Sequence, residues 1–384
     1  MKKKILITFG TRPEAIKLAP LVLAFKRCAD FAVRVCVTAQ HRTMLDQVLE
    51  FFNIIPDYDL NLMQDDQTLF DITGDVLLHF QKVLLDAMPD YVFIQGDTST
   101  AFAAALASFY RKIPVCHVEA GLRTNNIYSP FPEEMNRQLA ARICLFHFAP
   151  THRAKQNLLD ENIPAEAILV SGNTVIDALY EAKKRLRPDG AAIGSLKEKI
   201  NFADCPDRKR ILVTGHRREN FGEGLHNLCL ALKTLAQQHP DIQIVYPVHL
   251  NPQVQKPAYS LLSGLDNIRL LDPLDYESFI WLMDRAYCII TDSGGIQEEA
   301  PALGKPVLLT RDTTERPEAI EAGTAKMIGT NTALIVSETN RLLQDKHLYE
   351  KMSTAHNPYG DGNACERIIS FMRQRLSAYR ERQE

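Results

Sequence analysis

The chain has no C-x-x-C pair, and its eight cysteines (28, 36, 116, 144, 205, 229, 288 and 365) are scattered, several of them inside apolar runs. That argues against a zinc site or a disulfide framework and predicts buried free thiols in a reducing cytoplasm. No apolar stretch has the length of a membrane span. The opening Met-Lys-Lys-Lys and Ile5 to Phe9 mimic a signal peptide, but the run is short and Arg12 and Glu14 interrupt it. A first β-strand is the expectation there. An excess of charge is missing too: 44 Lys and Arg against 47 Asp and Glu leave a net charge of -3. There is thus no electrostatic case for nucleic acid or an anionic membrane as partner. Neither low-complexity tracts nor repeats of solenoid period are visible.

Several catalytic signatures are equally missing. The turns FGTRPE and TGHRREN, which head the two halves of the chain, lack G-x-G-x-x-G, so a dinucleotide fingerprint is not where a Rossmann enzyme carries it. GHRRENFGEGL does not spell a P-loop, no G-x-S-x-G elbow occurs, and His and carboxylate residues do not cluster at metal-ligand spacing. The expectation is a site of carboxylates, histidine and arginines, with no metal and no redox cofactor.

What is present is an alternation. At 384 residues, 46% hydrophobic and 24% charged, the chain has the composition of a soluble globular protein of two to three domains. Apolar runs predict strands at 4–9, 33–38, 91–95, 113–118 and 146–149, then at 211–214, 242–248, 268–271, 287–291 and 306–310. Helical patterns such as AIKLAPLVLAFKRC and STAFAAALASFYRK lie between them. Strands alternating with such helices imply βαβ units and parallel sheets. The predicted fold is α/β, with two Rossmann-like doubly wound domains and a cleft between them. The first domain takes residues 1–172 plus a C-terminal helix over about 363–384, and the second takes 173–362. RLRPDGAAIGSLKEKINFADCPDRKR reads as a connecting segment.

Polar residues with small neighbours follow the strands at one end, where open parallel sheets bind ligands. They are Gly10-Thr11-Arg12, Gln95-Gly96-Asp97, His117 to Leu122, Gly215 to Arg218 and Asp292 to Gly295. Ser293, Gly294 and Gly295 precede a helix predicted over Ile296–Leu303, and free N–H groups with the positive helix end favour a diphosphate. Glu298 and Glu299 lie in the first turns, where one of them could meet sugar hydroxyls. For Asp97 and Glu119 a helix N-cap is the alternative role, and for His216 that of a hydrogen-bonded loop histidine.

The segments FGTRPEAIKLAPL, VTAQHRTMLDQVL, QGDTSTAFAAALASFY, HVEAGLRT, YSPFPEEMNRQ, GNTVIDAL, VTGHRRENFGEG, YPVHLNP, TDSGGIQEEAPALGKPVLLTRDTTERPEA and NPYGDGNAC together resemble the bacterial non-hydrolysing UDP-N-acetylglucosamine 2-epimerases, in collinear order over nearly the whole chain. The resemblance implies the glycosyltransferase B fold and interconversion of UDP-N-acetylglucosamine with UDP-N-acetylmannosamine, by anti elimination of UDP to a 2-acetamidoglucal and re-addition. The product would supply surface polysaccharide. It also implies a cytoplasmic homodimer that needs no cofactor, since no ketone forms.

Residue by residue, the resemblance places Asp97, Glu119, Glu133 and His216 among the catalytic groups, with the assignment of acid and base left open. Arg12 and Lys17 would contact the ligand from the first domain. Ser293, Gly294 and Gly295 would hold the diphosphate, Glu299 the ribose, Arg316 the ligand, and Leu274 and Phe279 the uracil. Gln40, His41, Gln67, Glu133, Arg217 and His249 match a second site at which UDP-N-acetylglucosamine activates some members. Asp66 departs from that pattern, standing where those members carry a basic residue. A glycosyltransferase, a non-catalytic nucleotide-sugar sensor and a hydrolysing epimerase are the competing readings. The carboxylates of the first half argue against the first two, and a hydrolysing enzyme usually carries a fused kinase domain in animals.

Overall fold

The computed structural model describes residues 2–39, 42–62, 64, 66–186 and 208–381. Gln40, His41, Cys205 and most of the predicted connecting segment lie outside these residues. The chain divides into two compact units, residues 1–181 with 359–384, and residues 182–358.

Unit 1 begins with β1 (Lys3–Phe9), α1 (Arg12–Arg27), β2 (Phe31–Val37), α2 (Arg42–Phe52), β3 (Tyr58–Asp59) and α3 (Leu69–Ala87). It continues with β4 (Tyr91–Gln95), α4 (Ser99–Tyr110), β5 (Val115–Val118), α5 (Glu133–Ile143), β6 (Phe146–Ala149), α6 (His152–Asp160), β7 (Ile168–Val170) and α7 (Thr174–Arg185), inside which the division falls. All its strand pairs are parallel, in the order β3-β2-β1-β4-β5-β6-β7. Strands buried on both faces read as continuous apolar runs, and YVFI of β4 is a case: Val92, Phe93 and Ile94 are fully buried. Phe93 stacks on Phe148 of β6 at 6.0 Å and meets Phe25 of α1 edge-on at 5.2 Å, so three elements share one aromatic core.

Unit 2 contains β8 (Arg210–Thr214), α8 (Glu223–Gln238), β9 (Gln243–Pro247), α9 (Pro252–Leu262), β10 (Ile268–Leu271), α10 (Tyr276–Asp284) and β11 (Cys288–Thr291). After them come α11 (Gly294–Ala302), β12 (Val307–Leu309), α12 (Pro317–Glu321), β13 (Ala325–Met327), α13 (Thr332–Gln344) and α14 (Lys346–Ser353). The sheet is again parallel, in the order β10-β9-β8-β11-β12-β13. Its core joins Ile211, Val213, Tyr246 and Ile290 of the strands to Leu228, Leu232 and Leu235 of α8.

The final helix, α15 (Ala364–Glu381), belongs to unit 1. Phe371 packs edge-on to Phe146 and Phe148, at 5.2 and 5.7 Å. The first N–H groups of a helix have no partner of their own. Here Asp177 of α7 supplies one, accepting from Ala364 N at 3.2 Å and Cys365 N at 2.9 Å. Among the described residues seven cysteines are free and buried, and no helix is long and apolar enough to cross a membrane.

Candidate active site

In each sheet the strand order reverses direction once, between β1 and β4 in unit 1 and between β8 and β11 in unit 2. The crevice beyond the carboxyl ends at such a switch point is where open α/β sheets bind ligands. In unit 1 Gly10-Thr11 and Gly96-Asp97 flank it; in unit 2 Gly215-His216 and Asp292-Ser293 do.

Unit 1 holds three linked constructions there. Glu14, buried in the first turn of α1, accepts from Gly10 N, Thr11 N and Thr11 Oγ1 at 3.0, 2.8 and 2.8 Å, and from Thr98 Oγ1 at 2.7 Å. It ties the end of β1 to the start of α4. A Cβ on Gly10 would lie 2.1 Å from Thr38 Oγ1, so only glycine fits that turn.

Next, Glu119 follows β5 in the left-handed region, at φ 62°. For a residue with a side chain that backbone is disfavoured and is held by its surroundings. Its buried carboxylate receives Gln95 Nε2 at 2.9 Å and Asn173 Nδ2 at 3.4 Å, and pairs with Lys17 of α1. Residues from the ends of β4, β5 and β7 and from α1 thus converge on one carboxylate.

Third, Asp97 Oδ2 is bound by Arg137 through Nε at 2.9 Å and Nη2 at 2.6 Å. Arg137 also reaches Glu134, 3.2 Å away and fully buried. Burial would raise the Glu134 pKa, yet N–H groups of Thr124 and Asn125, the Gln138 amide and Arg137 bring it below the ordinary value. His117 Nε2–H donates to Gly96 O at 2.7 Å and fixes the peptide before Asp97. Burial lowers the pKa of His117 to about 4, so it is neutral in this role at physiological pH. The N-cap of α4 is Thr98, and a turn follows Glu119, so neither carboxylate caps a helix. Glu133 opens α5, half-buried, and makes no hydrogen bond or ion pair among the described residues. Arg12 is the first residue of α1 and is half-buried. Gln67 donates to Leu62 O at 2.8 Å.

In unit 2, α11 begins at Gly294, two residues before the predicted start: both glycines form its first turn, with Ser293 as N-cap. Glycine is a poor helix former, which is why the pattern alone placed the start at Ile296. The Arg316 guanidinium lies against Gly294, where a Cβ would come 2.5 Å from its Nη1. Arg316 pairs with buried Glu298, leaving Glu299 as the other glutamate of that turn, also buried. Glu315 lies among three arginines, 2.8 Å from Arg311, 3.8 Å from Arg316 and 4.0 Å from Arg217. His216 follows β8; its ring stacks on His249 at 5.8 Å and has Nδ1 3.3 Å from Asp292 Oδ1. Leu274 and Phe279 flank the N-cap and first turns of α10, both half-buried.

Glu315 carries a pH prediction. Burial alone would raise its pKa, but the charge of Arg316, its own backbone N–H and the charge and hydrogen bond of Arg311 hold it at about 2, against an ordinary 4.5. The unfolded chain therefore takes up a proton near pH 4.5 that the folded unit resists. The stabilisation is complete above about pH 5, disappears as the pH falls toward 2, and is on the order of 3 kcal/mol. Glu315→Gln is expected to lower the urea midpoint at pH 7, with the gap to the original chain narrowing below about pH 5 and closing toward pH 2. A gap that stays constant with pH would contradict this account.

Among the described residues no three His, Cys, Asp or Glu side chains are placed to hold a metal ion. Residues to which the sequence reading gave no role of their own complete the two sites: Arg137 and Glu134 behind Asp97, and Asp292 behind His216. Arg137 lies in FPEEMNR and Asp292 in TDSGG, so both motifs contained them, but only the fold reveals which side chains they serve.

Two doubly wound parallel sheets, each with a polar switch point, define an α/β enzyme of the glycosyltransferase B type. The family profile described as UDP-N-acetylglucosamine 2-epimerase matches residues 23–373. The UDP-N-acetylglucosamine 2-epimerase of Salmonella typhimurium is 55% identical over 377 residues, 98% of this chain and 99% of its own. That of Escherichia coli K12 is 54% identical over 370 residues, 96% and 98% of the two chains. Among solved structures, the Neisseria meningitidis UDP-GlcNAc 2-epimerase bound to UDP-GlcNAc superposes with a TM-score of 0.90 at 49% identity, covering 97% of this chain and 100% of its own. The Methanocaldococcus jannaschii enzyme, in complex with UDP-GlcNAc and UDP, gives 0.79 at 33% identity, with 97% and 99% covered. The chain belongs to the UDP-N-acetylglucosamine 2-epimerase family of isomerases.

Proposed function

We propose that the chain interconverts UDP-N-acetylglucosamine and UDP-N-acetylmannosamine without net hydrolysis, through elimination and re-addition of UDP. The hydrogen at sugar C2 has no neighbouring carbonyl, so simple deprotonation has no enolate to form. In an elimination the C2–H electron pair becomes the C1=C2 bond, the C1–O bond breaks, and its electrons leave with UDP. Re-addition with the opposite C2 configuration restores the atoms and electrons, with no redox step. Positive charge building on the ring favours nearby carboxylates, and the departing diphosphate favours N–H groups and cations. The observation that carries the reading is the Glu119 cluster, a buried carboxylate on left-handed backbone with Lys17, Gln95 and Asn173 gathered on it.

In this reading unit 1 supplies acid and base from Asp97, Glu119 and Glu133. Unit 2 binds the nucleotide through Ser293, Gly294, Gly295, Glu299, Arg316, Leu274 and Phe279, with His216 beside the reacting sugar and Arg12 and Lys17 as ligand contacts of unit 1. The relatives named for UDP-GlcNAc binding support the substrate assignment. The enzyme works without metal or nicotinamide, in the cytoplasm, as a homodimer, and its product feeds surface polysaccharide. Proton NMR of the purified protein with UDP-N-acetylglucosamine in deuterated water tests the core of this. Conversion to the manno epimer with deuterium at C2 is expected; free N-acetylmannosamine as main product would mean hydrolysis instead.

A second molecule of UDP-N-acetylglucosamine is proposed as activator, at Gln67, Glu133, Arg217 and His249 together with Gln40 and His41. The stacking of His249 on His216 supports a coupling between the two sites. UDP-N-acetylmannosamine alone should then react slowly, and a trace of UDP-N-acetylglucosamine should accelerate it, an effect lost in His249→Ala. A reverse reaction at full rate from the first minute would rule the activation out.

A further inference from the structure

Asp292 is fully buried, yet only half of its carboxylate is hydrogen-bonded. Oδ2 accepts from His216 N at 2.9 Å, Arg217 N at 2.8 Å and Asn220 Nδ2 at 3.3 Å. Those bonds fasten the turn after β8 to the end of β11, across the switch point of the sheet. Oδ1 is equally buried and receives no hydrogen bond among the described residues, while His216 Nδ1 sits 3.3 Å away. A buried acceptor without a donor is destabilising, more so for a charged group. A proton on Nδ1 removes that cost; a lone pair on Nδ1 facing a carboxylate oxygen adds repulsion to it.

We infer that Asp292 is the positioning residue of His216: it holds the imidazole as the Nδ1–H tautomer and so leaves Nε2 as the proton acceptor offered to the sugar nucleotide. The inference rests on the assignment of His216 to the catalytic groups. When a bond to hydrogen in the sugar nucleotide breaks and its electron pair stays with the substrate, the proton taken onto the Nε2 lone pair makes the ring an imidazolium, whose charge Asp292 balances without moving; return of the proton to the substrate regenerates the neutral ring. The other charged and titratable groups facing the ring are Arg217 and His249, and both oppose its protonation. Burial lowers the His216 pKa, and Asp292 counters it, so the ring is neutral at neutral pH and its tautomer decides its chemistry.

A purely structural role of Asp292 would be filled as well by asparagine. In Asp292→Asn the amide oxygen still accepts from the His216 and Arg217 N–H groups, but the amide NH₂ then faces Nδ1 and drives the proton to Nε2. The test is a long-range proton–nitrogen correlation spectrum of full-length protein labelled with ¹⁵N-histidine, at pH 7.5. The His216 signals are identified by their loss in His216→Gln. Nδ1–H is expected in the original chain and Nε2–H in Asp292→Asn. Turnover of Asp292→Asn should fall about 10²- to 10⁴-fold with KM little changed. An Nε2–H tautomer in the original chain overturns the inference even if the variant does not fold, and so does Asp292→Asn with unchanged tautomer and turnover. Normal turnover in His216→Gln would instead overturn the role given to His216, whatever the tautomer.

Discussion

Glu119→Gln should lower turnover by about 10²-fold or more, the usual range for a lost acid or base, while nucleotide affinity changes little. The substitution is nearly isosteric, and the new amide oxygen can still accept from Gln95 and Asn173. What disappears is the negative charge that balances mostly buried Lys17. On the proposed function the variant is thus deprived both of a proton acceptor and of an anion that stabilises charge on the sugar ring. Loss of deuterium incorporation at C2, with UDP binding preserved by calorimetry, is the expected pair of results. Asp97→Asn, Glu133→Gln and His216→Ala should fall by similar factors. Near-normal turnover in two of the three carboxamide variants would overturn the placement of the acid and base groups in unit 1.

Arg316→Ala should act on binding. Removing a charge-assisted partner from a nucleotide diphosphate is expected to weaken UDP affinity by about 10²-fold or more. The same change strips buried Glu298 of its cation, so stability should drop by about 3 kcal/mol, as for other broken buried pairs. The two effects separate in a double-mutant cycle. Adding Glu298→Gln to Arg316→Ala should recover much of the stability, because the buried carboxylate that lost the guanidinium is neutralised, yet recover none of the affinity. UDP binding at original strength in Arg316→Ala would exclude the guanidinium as a ligand contact.

Much of the scaffold can be read in the letters, for reasons that particular elements make clear. β4, β6 and β10 occupy the predicted 91–95, 146–149 and 268–271, because buried parallel strands leave apolar runs bounded by turn residues. β3, β7 and β13 were not predicted; they are two or three residues long and each lies at a sheet edge, and in Tyr58–Asp59 and Ala325–Met327 charged Asp59 and Lys326 interrupt any apolar run. An edge strand of that length is made by its neighbour's backbone, which leaves no periodicity to detect. The same distinction divides the candidate site. Asp97, Glu119, His216 and the SGG turn follow strand ends and could be picked out one by one. Arg137 on Asp97, Asp292 on His216 and Glu315 among Arg217, Arg311 and Arg316 are pairings in space, and those of Asp97 and His216 join residues far apart in the chain.

The capping of α15 by Asp177 bears on how the protein is made. Unit 1 is discontinuous: its sheet lies in the first part of the sequence, and the helix that covers Phe146 and Phe148 is translated only after all of unit 2. On the ribosome the N-terminal sheet must therefore wait with an apolar surface open, while unit 2, continuous in sequence, can close first. Contacts of such long sequence separation slow folding and prolong exposure to aggregation. A chain stalled before residue 364 would carry every strand of both sheets and still lack the helix that seals the older one.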